Sequence, residues 1–315
     1  MARKQNTNGR SNGHVAVGRA PALRVPDDHG AARLPVLKTY KIFIGGKFPR
    51  TESGRYYLLK NGRGEPLANV CLCTRKDFRD AVVAARNAQT DWARRSAYNR
   101  SQILYRIAEM LEGRSAQFVD ELVLCGATSA AAVKEVQTAI DRVLYYAGWC
   151  DKYQQVFSSV NPVASSHFNF SILEPVGVVA AVAPEKPGLL GLISITLPAI
   201  CGANTVVALA SYRMPLPAVT FAEVLATSDL PGGVVNILTG TRHELVEHFA
   251  SHMDVNALIH CGSDAAERKL IQEKAAQNVK RLITHDRNWF DEQAQSPYFI
   301  LDLQEIKTTW HPIGL

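Results

Sequence analysis

The spacing of apolar residues along the chain changes twice, and the changes mark out its parts. Lys41–Phe48, Arg55–Leu59 and Ala68–Cys73 read as three short strands around glycine turns. At Thr74 the period lengthens. Thr74 and Asp77 form a capping-box pair, and Phe78, Val82, Ala85 and Ala88 recur at helical spacing up to Trp92. Ile103, Ile107 and Leu111 predict a second helix, Ser115–Leu124 a third, and Ala131–Phe157 a long fourth. Strand character returns at Phe168.

From Val176 the pattern is different. Val176–Val182 is a near-continuous run of β-branched residues and alanine, as in a strand buried on both faces. Helix Gly188–Ile200 then leads to strand Asn204–Leu209, helix Pro217–Ala226 to strand Gly233–Leu238, helix His243–Ala250 to strand Asn256–His260, and helix Asp264–Gln277 to strand Lys280–Thr284. Strands joined through helices need right-handed crossovers. The predicted class is therefore α/β, with a Rossmann-like, doubly wound parallel sheet. Such sheets often bind nucleotides, but the fold alone does not assign that function.

Composition sets the boundaries. At 315 residues and 47% hydrophobic content, the chain can bury one large core or two ordinary ones. Its longest apolar stretch, Leu189–Cys201, is broken by Pro198 and falls short of the roughly 20 residues a membrane span needs. No apolar segment follows the charged N-terminus as it would in a secretory signal. No membrane partner and a cytoplasmic location are expected. The six cysteines suit a reducing compartment, and the one close pair, Cys71 and Cys73, reads as alternating strand residues rather than a metal site.

The net charge of +6 is uneven. Arg3, Lys4, Arg10, Arg19, Arg24, Arg33 and Lys38 lie in a segment, residues 1–38, with almost no large apolar side chains, so a basic arm that buries nothing is expected there. Such an arm could meet an anionic partner. Nucleic acid is disfavoured because no aromatic residue precedes Tyr40 to stack on bases. A solvated tail is the plainer reading.

Several segments then become specific. Tyr145-Tyr-Ala-Gly-Trp149, Glu174-Pro-Val-Gly-Val-Val179, Gly202-Ala-Asn-Thr-Val-Val207 and Leu230-Pro-Gly-Gly-Val-Val-Asn-Ile-Leu-Thr-Gly240 occur in an order that resembles the N-terminal half of an aldehyde dehydrogenase. Tyr40–Phe48 is similar to the family's opening strand and Glu305-Ile-Lys-Thr308 to its closing strand. The resemblance implies an NAD(P) dehydrogenase with a cysteine nucleophile, a carboxylate that activates water and an asparagine-lined oxyanion site.

Those chemical parts do not follow. In the family the nucleophile lies in a catalytic domain after the last strand of the nucleotide domain, whereas here no cysteine follows Cys261. Residues 286–297 read as a linker in that domain's place, followed by an oligomerisation strand within 298–315. The family's base Glu corresponds to His285, which could act as a base near pH 6.5 but has no thioester to hydrolyse. The oxyanion Asn falls at Lys186, and the Lys and Glu that hold the ribose fall in Leu209-Ala-Ser-Tyr212. The phosphate turn appears as Gly262-Ser-Asp-Ala-Ala-Glu267. Gly262 and Ser263 are left as the candidate cofactor-binding residues, while Asp264 and Glu267 oppose a phosphate. No cofactor is expected, with NAD a weak alternative. Cys261 reads as a buried replacement for Thr, and His243, His248, His252 and His260 read as surface histidines rather than a metal site.

The assembly parts remain. The resemblance implies subunit contacts through a hairpin near 164–175, with Phe168, Phe170 and Ile172, and through Glu305, Ile306, Lys307 and Thr308 of a strand that crosses to a neighbour. A nucleotide-type domain, residues 39–285, without its catalytic lobe is expected to leave a face uncovered. These points together suggest a non-catalytic subunit that joins a full-length aldehyde dehydrogenase to stabilise, tether or regulate it. A homo-oligomer, an NAD(H)-binding sensor or residual oxidoreductase using the altered site at Gly262 and Ser263, and a basic-arm binder of an anionic partner are the alternatives.

Overall fold

A computed structural model describes residues 36–314 of the chain. Residues 1–35 of the expected arm lie outside the described residues; at its end, the Lys38 carbonyl accepts a hydrogen bond from Asn69 N at 2.9 Å. The elements run β1 (Thr39–Tyr40), β2 (Tyr56–Lys60), β3 (Pro66–Cys71), α1 (Arg75–Arg94), α2 (Ala97–Gly113), α3 (Ser115–Leu124), α4 (Ser129–Ala147), α5 (Tyr153–Phe157), β4 (Ser159–Asn161) and β5 (His167–Pro175). The alternating part follows: β6 (Val178–Val182), α6 (Gly188–Cys201), β7 (Thr205–Leu209), α7 (Leu216–Ala226), β8 (Val235–Leu238), α8 (Arg242–Ser251), β9 (Ala257–Cys261), α9 (Ala265–Ala275), β10 (Arg281–His285), α10 (Tyr298–Leu301) and β11 (Gln304–Pro312).

The central sheet is parallel throughout, in the order β10-β9-β6-β7-β8. Strands β6, β7, β8 and β9 are buried at every position because each face packs on helices, whereas the edge strand β10, with Arg281 and Thr284, is only partly buried. Val179 and Ala181 of β6, with Val206, Ala208, Ala257 and Ile259, enter a core with residues of α2, α4, α6 and α7. Val178, Ala180 and Val182, with Val207, Leu209 and Leu258, enter the opposite core with residues of α1 and α8. The two-residue period of a strand thus assigns every second side chain to a separate helical layer.

Three local expectations are corrected. Lys41–Phe48 is not a strand: Phe43 makes an isolated bridge to Ile237, and Ile44 pairs with Lys47 across a Gly45-Gly46 turn. Gly46 is required there, because a Cβ would stand 3.0 Å from the Gly232 Cα while φ is +79°. The long fourth helix divides, ending at Ala147 and resuming for a short turn at Tyr153. Residues 298–315, expected as an oligomerisation strand, begin with the short helix α10 (Tyr298–Leu301), and the strand itself starts at Gln304.

The remaining strands make two smaller sheets, β1-β3-β2 and β11-β5-β4. In the latter β11 runs antiparallel along the whole of β5, with Glu305 opposite Glu174, Ile306 opposite Leu173, Lys307 opposite Ile172 and Thr308 opposite Ser171. The closing strand thus pairs with the hairpin of its own chain. A Ser171–Thr308 hydroxyl pair at 2.9 Å and a Lys307–Glu174 ion pair at 2.9 Å fix that register on the side-chain level.

Among the described residues, the segment after β10 is packed against the domain and is not an open linker beside a bare face. Between β10 and β11 the chain folds back onto α4 and α6, burying Trp289, Ala294, Ile300 and Leu303 in the larger core. Arg142 of α4, only 2% exposed, reaches up into this segment. It donates to the Trp289 carbonyl at 3.0 Å, the Ala294 carbonyl at 2.7 Å, Gln295 Oε1 at 3.1 Å and Ser194 Oγ at 2.6 Å. Asn204 and Gln304 close the far end: Asn204 Nδ2 donates to the Leu303 carbonyl at 3.1 Å, and Gln304 Nε2 to the Gly202 carbonyl at 2.9 Å. Buried backbone carbonyls need partners, and these side chains provide them where neither helix nor sheet does.

Candidate functional site

The carboxyl ends of β6, β9 and β10 meet the start of α9 around a cavity of about 420 Å³, the place where open parallel sheets bind ligands. Pro184 and Lys186 line one side, Gly262, Ser263 and Asp264 the next, and His285 and Arg287 the third. Both cofactor candidates, Gly262 and Ser263, are therefore in the cavity wall. A second cavity of about 390 Å³ adjoins it through Lys186, Arg287 and Trp289 and extends to Glu135. Glu135 Oε1 accepts from Leu189 N at 2.8 Å and Leu190 N at 3.2 Å, which satisfies two first-turn donors of α6; burial raises its pKa.

At the phosphate turn the chain's own side chains meet one another. Arg242, at the start of α8, donates through Nε at 3.1 Å and Nη2 at 2.8 Å to Glu267 Oε1, and through Nη2 at 2.7 Å to the Cys261 carbonyl. His260 Nε2 lies 2.5 Å from the same carboxylate oxygen. That contact requires the proton on Nε2, so the 3.0 Å approach of Arg242 Nη2 to His260 is a packing contact and not a second donation. The His260 hydrogen bond and the Arg242 cation hold Glu267 below the usual carboxylate range despite partial burial. A Cβ at Gly262 would stand 2.9 Å from Arg242 Nη2, so the glycine leaves the guanidinium where it is.

The first-turn donors of α9 are also taken. Asp264 Oδ1 caps the helix, accepting from Ala266 N at 2.8 Å and Glu267 N at 2.9 Å. Across the cavity, Glu185 fastens the neighbouring loop: Ser211 Oγ donates to its Oε2 at 3.0 Å and to its carbonyl at 2.9 Å, and Arg213 N donates to Oε2 at 3.1 Å. Tyr212 of that loop stacks on Tyr57 with ring centres 4.4 Å apart.

Two sequence expectations change here. His260 is fully buried, whereas His243 is exposed and His248 and His252 are half-buried; among the described residues no group of three metal-ligating side chains comes together. His285 is buried against Trp289 and Phe299, and burial, with Arg287 nearby, pushes it down to about 4. It is neutral at pH 7 and a far weaker base than an ordinary histidine. Cys261 is buried at the end of β9, and burial pushes its thiol up to about 12, which leaves it inert as a nucleophile.

Comparison with known proteins places this architecture. The family model described as the aldehyde dehydrogenase family matches residues 49–285. The chain belongs to the aldehyde dehydrogenase family. Mouse cytosolic 10-formyltetrahydrofolate dehydrogenase is 31% identical over 256 residues, covering 79% of this chain and 28% of that protein. Among solved structures, the NAD+ complex of aldehyde dehydrogenase from Bacillus cereus matches with a TM-score of 0.75 at 25% identity, covering 78% of this chain and 50% of that one. PnpE from Pseudomonas sp. WBC-3 matches with a TM-score of 0.74 at 26% identity, again covering 50% of its chain. The chain thus spans half or less of the length of these relatives. As expected, the fold is that of the aldehyde dehydrogenase nucleotide domain with antiparallel strands attached.

For a chain of this family the fitting group would be NAD(P), and the phosphate turn does not fit it. The helix donors that would face a pyrophosphate are bonded to Asp264, and Glu267 sits beside them as a second carboxylate on Arg242. An incoming phosphate would meet two negative charges in place of free N–H groups. Arg242 and Arg142 escaped the sequence analysis altogether. Arg242 is 25 residues from Glu267 and Arg142 about 150 from the carbonyls it holds, so no local pattern connects them.

The second feature on the surface is the three-stranded sheet. Phe168, Phe170 and Ile172 share one face with Val160, around a shallow apolar depression of about 330 Å³. On the opposite face Ile306 and Trp310 are 67% and 57% exposed. Among the described residues no helix is long and apolar enough to cross a membrane.

Proposed function

We propose that this aldehyde dehydrogenase family chain is a non-catalytic subunit that assembles with a full-length aldehyde dehydrogenase and stabilises, tethers or regulates it. The observation that carries the reading is the packed segment 286–303. It joins β10 directly to β11, with α10 inside it, and it is clamped into the core by Arg142. A lobe inserted at that point would have to displace buried Trp289, Ala294 and Ile300. The segment therefore reads as a finished substitute for a catalytic domain. The carboxylates on the phosphate turn and the inert Cys261 agree with a chain that performs no dehydrogenation itself.

The assembly surface in this reading is the β11-β5-β4 sheet, with Phe168, Phe170 and Ile172 on one face, Glu305, Ile306, Lys307 and Thr308 in β11, and an outer β11 edge that no strand of the chain covers among the described residues. Open edges with apolar neighbours are the usual sites of strand addition. The cytosol is the setting we assign, in keeping with the mouse relative named as cytosolic and with six unpaired cysteines.

Co-expression of the tagged chain with the full-length aldehyde dehydrogenase of the same genome, followed by light scattering on the purified species, tests the reading. A defined mixed oligomer is expected, and Ile306→Arg together with Trp310→Ser should abolish it while the single chain keeps its native melt. A stable homo-oligomer that ignores the dehydrogenase would overturn the proposal.

A further inference from the structure

The Arg242–His260–Glu267 cluster does more than fail to fit a dinucleotide. A guanidinium and a buried imidazole converge on one oxygen, Glu267 Oε1, at 2.8 and 2.5 Å, at the wall of the 420 Å³ cavity. Two positive or proton-bearing groups aimed at a single oxygen form the arrangement that holds a phosphate oxygen in an anion site. We infer that Glu267 is an intramolecular anion mimic, seated in an oxyanion site formed by Arg242 and His260 that would otherwise take the diphosphate class of ligand.

The geometry favours this over an ordinary surface ion pair. Arg242 and Glu267 are about one-fifth exposed and His260 is fully buried, so the cluster is largely shielded from water. Arg242 is anchored independently by the Cys261 carbonyl, so the guanidinium stays in place when the carboxylate leaves. A Cβ at Gly262 would stand 2.9 Å from Arg242 Nη2 and 3.2 Å from His260 Cε1, so a side chain there would push the guanidinium off its present position. The carboxylate and an incoming phosphate compete for the same donors, and the tethered carboxylate has the advantage of high effective concentration. The inference is independent of whether the chain has a partner.

The test is isothermal titration of inorganic pyrophosphate into the full chain and into its Glu267→Gln variant, which keeps the side-chain shape and removes the charge. Glu267→Gln is expected to bind pyrophosphate at least about tenfold more tightly than the parent chain, with an affinity that falls as salt rises. Adding Arg242→Ala to that variant should return binding to the parental level. ADP as a parallel ligand separates the source of the anion: tighter binding of ADP than pyrophosphate assigns the site to a nucleotide, weaker binding to a free diphosphate. Thermal melts report whether each variant is folded, and Glu267→Ala, which empties the position, provides a second route to the same gain. No gain in either folded variant, a gain that survives Arg242→Ala, or parental binding as tight as that of Glu267→Gln would each overturn the inference.

Discussion

Replacing Arg142 by Met should release the segment between β10 and β11 without dismantling the parallel sheet. The substitution keeps a long apolar stem between α4 and α6 but removes the donors that serve the Trp289 and Ala294 carbonyls, Gln295 Oε1 and Ser194 Oγ. The four bonds cannot simply be added. A buried cation pays a desolvation cost, reflected here in a guanidinium pKa lowered mainly by burial, and that cost is recovered when the charge is removed. What remains is two dry backbone carbonyls, each worth about 1–3 kcal/mol when left without a donor. A loss of about 3 kcal/mol in all, at about 2.1 cal/mol/K of unfolding entropy per residue over 315 residues, corresponds to a drop in Tm of roughly 4–5 °C. Differential scanning calorimetry gives the total, and hydrogen exchange locates it. Amides of residues 286–303 should lose protection while those of β6, β7 and β9 keep theirs, because local opening precedes global unfolding. A variant that melts within about 1 °C of the parent, with segment 286–303 still protected, would refute the assignment of Arg142 as the clamp.

Two further outcomes follow from the same structure. His285 has a folded-state pKa depressed to about 4 from 6.5, so between those values the unfolded chain binds a proton that the folded chain does not. Its contribution is complete above about pH 6.5 and is lost as pH falls toward 4; at about 1.4 kcal/mol per pKa unit it reaches about 3 kcal/mol. The acid slope of stability from urea titrations should therefore be shallower in His285→Asn, and an unchanged slope would contradict the burial assigned to this ring. Gly191→Ala places a Cβ 2.3 Å from Pro184 Cγ and 2.9 Å from its Cδ, so α6 and the Pro184 turn must separate; a loss of about 1–3 kcal/mol is expected from overpacking, checked by the urea midpoint.

The burial of segment 286–303 also changes how assembly is understood. The expectation of a bare face rested on the sequence having a short linker in place of a lobe, whereas Trp289, Ala294 and Ile300 of that segment are buried in the larger core. In the proposed reading, the β11-β5-β4 sheet is then the surface offered for assembly. Its Asn161, Asn169, Ser171 and Thr308 form a polar row of hydrogen bonds across three strands, next to the exposed Trp310. A polar ladder flanked by large apolar side chains restricts pairing register more than an all-apolar face would.

The sequence by itself determined the parallel sheet, because a strand buried on both faces has to be apolar at every position, and Val178–Val182 and Thr205–Leu209 carry that signal without any knowledge of their neighbours. It also determined the α1 start, where Thr74 and Asp77 lie three residues apart and interact as read. The presence of two carboxylates, Asp264 and Glu267, at this turn was legible for the same reason: both sit within one local stretch of sequence. Only the tertiary structure decided what those carboxylates do, since the cation that holds Glu267 comes from another helix. Likewise, a linker and a buried plug have the same composition until Arg142 reaches the linker carbonyls from a distant helix. The period of apolar residues is a local property that survives in one dimension, whereas the pairing of a buried charge with its acceptors depends on which elements the fold brings together.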